Sequence, residues 1–250
     1  MSYNAEYCDP FDGEQADIWM KLEHCGRYLF ACDYLSDKRL HSVLDVASAC
    51  GYGSSMLSNV IPQVTAADRN QDYLSSAYYT EAKHAITRYC FDFDSDSFPQ
   101  EMLPVDSIVC FETIEHLRQP YSFLEKIDSI LKLDGYLLLS FPNEKYERKN
   151  PDGSNRDPYH LHILPLDEIK KKLSNLGYSI LSVLGQPICN IACSRQHDLR
   201  ESNILSEEII KQAFRYDSDT IRALSLILAY PQENNVDESY SYLIISQKQR

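Results

Sequence analysis

Glycine is scarce in this sequence, 8 residues among 250, about 3% against a usual ~7%. That scarcity excludes fibrous and flexible repeat classes. Basic residues are also short: 24 Lys and Arg face 37 Asp and Glu, for a net charge of −13. A chain of that sign repels a polyanion, so no nucleic-acid partner is expected. The one basic run, Lys170-Lys171-Lys172, suits the solvated face of a helix. No apolar run approaches the ~18 residues of a membrane span, so no membrane partner is expected either. The opening Met1–Gln15 stretch is acidic and polar, unlike a signal or transit peptide, which points to the cytoplasm. Eight cysteines are spread singly and suit reduced core thiols. Cys189 and Cys193 have no second pair nearby, and no metal site is expected.

What remains is ordinary globular material, 44% hydrophobic and 24% charged. Apolar spacing predicts a helix over 14–35. Short apolar runs predict strands at 42–46, 64–68, 86–91, 106–111 and 136–141. Helices are expected from Ser54, over Asp72 to Lys83, and from Pro120 to about Leu131. This alternation implies a parallel sheet with helices on both faces, and such sheets bind ligands beyond the carboxyl ends of their strands. Farther on, a helix over 166–176 stops at Gly177 and a strand covers 178–184. The segment 187–231 suggests an amphipathic helix pair, and 240–247 a last strand.

Four features fall on the strand ends. The run Asp45-Val46-Ala47-Ser48-Ala49-Cys50-Gly51-Tyr52-Gly53 is a close-approach loop, because small side chains let backbone amides near a ligand. Asp68, with Arg69 beside it, ends the second strand, where a carboxylate can accept from a ribose diol. Asp92 follows the third strand, where it can accept from an exocyclic amine while Phe93 lies against a flat ring. The run Phe111-Glu112-Thr113-Ile114-Glu115-His116-Leu117 follows the fourth.

In this order the features resemble class I S-adenosylmethionine-dependent methyltransferases, in their small-molecule branch. The resemblance covers about Val43 to Gln186 and includes Leu137-Leu138-Leu139-Ser140-Phe141-Pro142-Asn143 and an upstream Glu23-His24, Arg27-Tyr28 match. It implies a single domain over 1–250, built on a Rossmann-like seven-stranded, mostly parallel α/β sheet flanked by helices, with the last strand antiparallel. The helix over 14–35 would close over the cofactor, and 187–231 would be a helical insertion between the last two strands. The implied cofactor is S-adenosyl-L-methionine. Asp45, Ala47, Ala49 and Gly51 would wrap its methionine part, and Asp68 would hold its ribose. Asp92 and Phe93 would flank adenine, Glu112 would lie near the reacting methyl, and Arg27 would reach the carboxylate. Ala47 and Ala49 depart from the glycines of the family pattern. An ordinary φ at Ala49, with its Cβ turned away, would leave the pocket open.

The implied acceptor is a small molecule, a hydroxyl of a sugar or natural product, methylated by in-line displacement. His160 is the expected acid or base and His116 the alternative. His24, Tyr159 and His162 are expected on the substrate side, and a homodimer can form through the insertion. The same residues also suit a non-catalytic binding or regulatory protein on this fold, which Ala47 and Ala49 motivate. A dinucleotide-dependent oxidoreductase fits less well, since Asp45 and Asp92 both suit adenosylmethionine.

Overall fold

The computed structural model describes residues 8–12, 18–94, 97–99, 102, 104–147, 149–155, 157–186, 217–234 and 236–250. Helix α1 (Ile18–Ser36) leads into strand β1 (Ser42–Val46), whose five residues are all buried. Full burial on both faces is why Ser-Val-Leu-Asp-Val reads as an apolar run rather than an alternation. Helix α2 (Tyr52–Leu57), strand β2 (Gln63–Asp68), a short helix α3 (Ala77–Thr80) and strand β3 (Ile86–Cys90) follow. Strand β4 (Val105–Phe111), helix α4 (Pro120–Ile130), strand β5 (Leu131–Pro142), helix α5 (Leu166–Asn175) and strand β6 (Tyr178–Gln186) continue the alternation. Helix α6 (Ser218–Leu228) and strand β7 (Ser241–Lys248) complete it.

The seven strands lie in the order β3-β2-β1-β4-β5-β7-β6. Strands β1 to β5 pair in parallel, and β7 runs antiparallel to both β5 and β6. The chain order reverses between β1 and β4, which is the switch point where this sheet type opens a crevice. Register fixes the rim: Val46 pairs with Ala67 and Cys110, Asp68 with Cys90, and Phe111 with Ser140. The loops after β1, β2, β4 and β5 therefore emerge along one edge.

Two cores lie on the two faces of the sheet. One gathers α1 and α2 against Val43, Val109 and Leu138; the other gathers α4 and α5 against Leu44, Ile108 and Leu137. Helix α6 packs on α1 at Gly26, where an added Cβ would meet the Ala229 carbonyl at 2.4 Å. Among the described residues no helix is long and apolar enough to cross a membrane.

The expected helix over 72–83 is corrected to a 3-10 turn (Tyr73–Ser75) and the four residues of α3. Ser76 adopts extended backbone between them and its side chain caps α3 by accepting from the Tyr78 amide, and that local bond competes with a continuous helix. Strand β5 is longer than its expected 136–141 because Leu131 already pairs with Val105 across a bulge. Residues 14–17 of the first expected helix lie outside the described residues, as do 187–216, which include Cys189, Cys193 and the first part of the expected helical insertion.

Candidate functional site

The loop after β1 is built from left-handed backbone. Ala47 (φ 53°), Ala49 (φ 46°) and Gly51 (φ 86°) all adopt it, so Ala49 takes the costly left-handed backbone rather than an ordinary φ. Each alanine carries the Cβ penalty of that region, about 1–2 kcal/mol. The surroundings over-determine the turn. Ser48 donates its amide to Ala67, the Ala49 amide donates to Asp68 Oδ2 at 2.9 Å, and the Gly51 amide donates to Ser48. Tyr79 supports the same loop: its hydroxyl donates to the Ala49 carbonyl and lies 2.8 Å from Ser48 Oγ.

Asp45 is fully buried beneath this loop. Its Oδ1 accepts from the Tyr28 hydroxyl at 2.8 Å and its Oδ2 from Ser54 Oγ at 2.6 Å. Burial pushes its carboxyl up to about 7, against the opposing pull of those hydroxyls. Asp45 thus ties α1 to the start of α2 and shapes the loop from below. The Tyr28 ring is also fixed edge-on to Tyr52 and Phe111, each with a centroid distance of 5.3 Å.

Asp68 ends β2 with its carboxylate at the rim. Oδ2 takes the Ala49 amide and Oδ1 the Asn70 amide at 2.8 Å. Burial raises its pKa, and the two amides and the exposed Arg69 partly offset that rise. A carboxylate has about four lone-pair sites. Two remain for a diol, so the residue that shapes the loop can also hold a ribose.

Glu112, at the end of β4, is the third acidic group and has a left-handed φ of 43°. Ser140 and Ser241 donate their hydroxyls to its two oxygens, at 2.6 and 3.1 Å. Arg27, buried on α1, approaches Glu112 to 3.8 Å and donates to Gln186 Oε1 at 2.7 Å. Gln186 in turn donates to the backbone carbonyls of Glu23 and Ala229. A buried guanidinium on one side and Asp68 on the other suit the carboxylate and ribose ends of the implied cofactor. The small, strained loop between them suits close approach, and on these observations the residues fit S-adenosylmethionine.

The adenine side differs from expectation. Phe93 is 5% exposed and turned into an aromatic cluster, 4.5 Å from Phe91 and 5.5 Å from Phe123. Apolar burial outweighs presentation to a ligand, so the expected flat contact from Phe93 is corrected. Asp92 is exposed, with Oδ1 accepting the Asp94 amide.

The loop after β5 folds back over the end of β4. The Leu161 and His162 amides both donate to the Glu115 carbonyl. His160 Nδ1 sits 3.0 Å from Glu147 Oε1, and the His160 and His116 rings meet edge-on at 5.0 Å. Burial alone would lower the His160 pKa, but the hydrogen bond and charge of Glu147, with Glu115, raise it. His116 Nδ1 pairs with the Tyr159 carbonyl at 3.1 Å. Tyr159 is exposed, and His162 Nε2 lies 3.3 Å from the Arg118 carbonyl. His24, on α1, bonds Tyr52 through Nδ1 at 2.9 Å; burial and then Arg27 push its pKa well down, so it is neutral at pH 7.

Residues beyond the sequence expectation also build this edge. Glu115 is 1% exposed, and among the described residues neither carboxylate oxygen has a hydrogen-bond partner. Burial, then the nearby Glu112 charge, push its carboxyl up to about 8. Glu115 was visible inside the Glu112–His116 run but had no strand-end position to mark it. Glu147 and Tyr79 lie in irregular or short segments where no periodicity points to them.

A sequence family described as a methyltransferase domain matches residues 20–183. A Mycobacterium tuberculosis protein described as an S-adenosylmethionine-dependent methyltransferase is 26% identical over 147 residues, 57% of this chain and 50% of its own. The chain thus spans about half the length of that curated relative. A Mycolicibacterium smegmatis protein so described is 23% identical over 82% of this chain and 80% of its own. In fold, the chain resembles an S-adenosylmethionine-dependent methyltransferase from Clostridium acetobutylicum, with a TM-score of 0.60, 12% identity, and coverage of 91% of this chain and 92% of that one.

Proposed function

Because the chain belongs to the class I S-adenosylmethionine-dependent methyltransferases, with S-adenosylmethionine as cofactor, we propose that it methylates a hydroxyl of a small molecule, a sugar or another natural product, by in-line displacement. The observation that carries this is the convergence of Asp68, Glu112 and the left-handed loop on one sheet edge, with the histidine-bearing loop after β5 folded over the same edge. When bound, the cofactor supplies an electrophilic methyl group on a sulfonium.

The residues divide the work. Asp68 accepts from the ribose hydroxyls, Arg27 reaches the carboxylate, and Ala47, Ala49 and Gly51 line the methionine part. Asp45 positions that loop from below, and Asp92 stands on the adenine side. Glu112, held by Ser140 and Ser241, stands near the reacting centre. His160 and His116 attend the acceptor hydroxyl and its proton, with Tyr159, His162 and His24 on the acceptor side. Positioning of this kind can account for much of a methyl-transfer rate.

The chain is proposed to work in the cytoplasm, without a nucleic-acid or membrane partner, and to pair with a second copy through the insertion. On α6 the proposal has a basis in Ile227, which is 77% exposed. A solution mass of one chain by light scattering would contradict the pairing. The strained backbone at Ala47 and Ala49 favours a second reading, a regulator that binds the cofactor and transfers nothing. Incubation with methyl-labelled cofactor and a pool of hydroxylated metabolites separates the two. Label in a small-molecule product supports the enzyme, and cofactor binding without any transfer supports the regulator.

A further inference from the structure

We propose that Glu115, His116 and His160 form a binding site for one divalent first-row transition-metal ion. One ligand atom from each residue lies within 4.8 Å of the others. A small side-chain movement brings such a set onto a common shell of about 2.0–2.2 Å.

Three further observations point to a ligand. Glu115 is 1% exposed, yet neither carboxylate oxygen accepts a hydrogen bond among the described residues. A buried carboxylate left in that condition is costly unless something pairs with it. Beside it, His116 Nε2 lies 3.7 Å from Glu115 Oε1. Both histidines are also oriented through the nitrogen away from a ligand. His160 Nδ1 is held by the Glu147 carboxylate, which is itself 7% exposed, and His116 Nδ1 pairs with the Tyr159 carbonyl. A carboxylate or backbone carbonyl behind a histidine fixes the tautomer and aims the other nitrogen, as it does behind metal-bound imidazoles. The Asp157 carboxylate, 3.9 Å from His160 Nε2, adds negative charge at the rim.

Donor chemistry selects the ion. Two imidazoles and one carboxylate suit zinc, cobalt or manganese better than magnesium or calcium, which prefer all-oxygen sets. Three protein ligands leave a coordination position open. Resting on the proposed function, that position would take the acceptor's oxygen.

The test is a titration of the full chain with Co²⁺, followed by visible absorbance, after treatment with a chelator. One saturable equivalent is expected, and competition by Zn²⁺ should bleach the colour. Glu115→Gln, His116→Asn and His160→Asn should each weaken Co²⁺ binding at least tenfold. Cys90→Ser, which removes an exposed thiol, should leave it unchanged. Affinity for S-adenosylhomocysteine, measured on the same proteins, reports their folding and keeps the two proposals apart. A chain that binds the nucleoside but no metal overturns the metal site and leaves the methyltransferase standing. If Glu115→Gln fails to fold, the two histidine variants decide. Absence of saturable Co²⁺ binding to the wild type, or undiminished binding in the folded variants, overturns the proposal.

Discussion

At the scale of single residues, Asp68 and Asp45 play opposite parts although both end or occupy parallel strands. Asp68 keeps acceptor capacity at the rim, so Asp68→Ala should weaken cofactor binding by about 1–3 kcal/mol in a calorimetric titration. Unchanged affinity would remove Asp68 from the site. Asp45 acts through the fold, and pH exposes it. Unfolded, an aspartate ionises near pH 4; in the fold Asp45 does so at about 7. Between those values the folded chain holds a proton that the unfolded chain has released, so stability falls as pH rises from about 4 to 7 and the loss levels off above that. The asparagine variant lacks this titration. The stability difference, wild type minus Asp45→Asn, should therefore decline across that window in urea unfolding, and a flat difference would show Asp45 ionised in the fold throughout. The place of Asp68 at the end of β2 was legible in the sequence because the apolar run before it marks a buried strand. Phe93 was not, since adjacency to Asp92 says nothing about which way a ring turns, and the cluster of Phe91 and Phe123 decides it. Glu115 and Glu147 escaped because their meaning depends on a loop folding back over β4, a contact between residues distant in sequence.

At the scale of elements, the loop joining β1 to α2 is strained at two alanines. Ala47 and Ala49 adopt backbone that glycine takes freely. Ala49→Gly should relieve about 1 kcal/mol of that strain, seen as a higher urea midpoint at unchanged slope. A lower midpoint would mean that lost rigidity in the unfolded chain dominates instead. The α1–α2 junction should respond in the opposite sense. A Cβ at Gly53 would lie 2.1 Å from the Tyr28 ring, which donates its hydroxyl to Asp45. Gly53→Ala should therefore destabilise the chain by about 1–3 kcal/mol, as overpacking does. A neutral result would show that Tyr28 moves freely and does not fix Asp45. The sequence marked the loop well, through its small residues between an apolar run and a helix start. It marked α3 poorly, because Ser76 offers the backbone a local bond that interrupts the apolar period from Asp72 to Lys83.

At the scale of the whole molecule, a parallel sheet aligns the carboxyl ends of β1, β2 and β4 so that residues far apart in the chain share one rim. That much follows from the alternation of strands and helices, which is plain through residue 141 because doubly buried strands read as apolar runs. The insertion of β7 between β5 and β6 does not follow from chain order, and the family resemblance supplied only the antiparallel sense of the last strand. This rim is proposed to bind S-adenosylmethionine, and the decisive measurement is a calorimetric titration of the full chain with the cofactor. A saturable heat for a single site is expected, with a rise in unfolding temperature that corresponds to about 2.7 kcal/mol when cofactor reaches a hundred times Kd. No heat and no thermal shift at millimolar cofactor would contradict it.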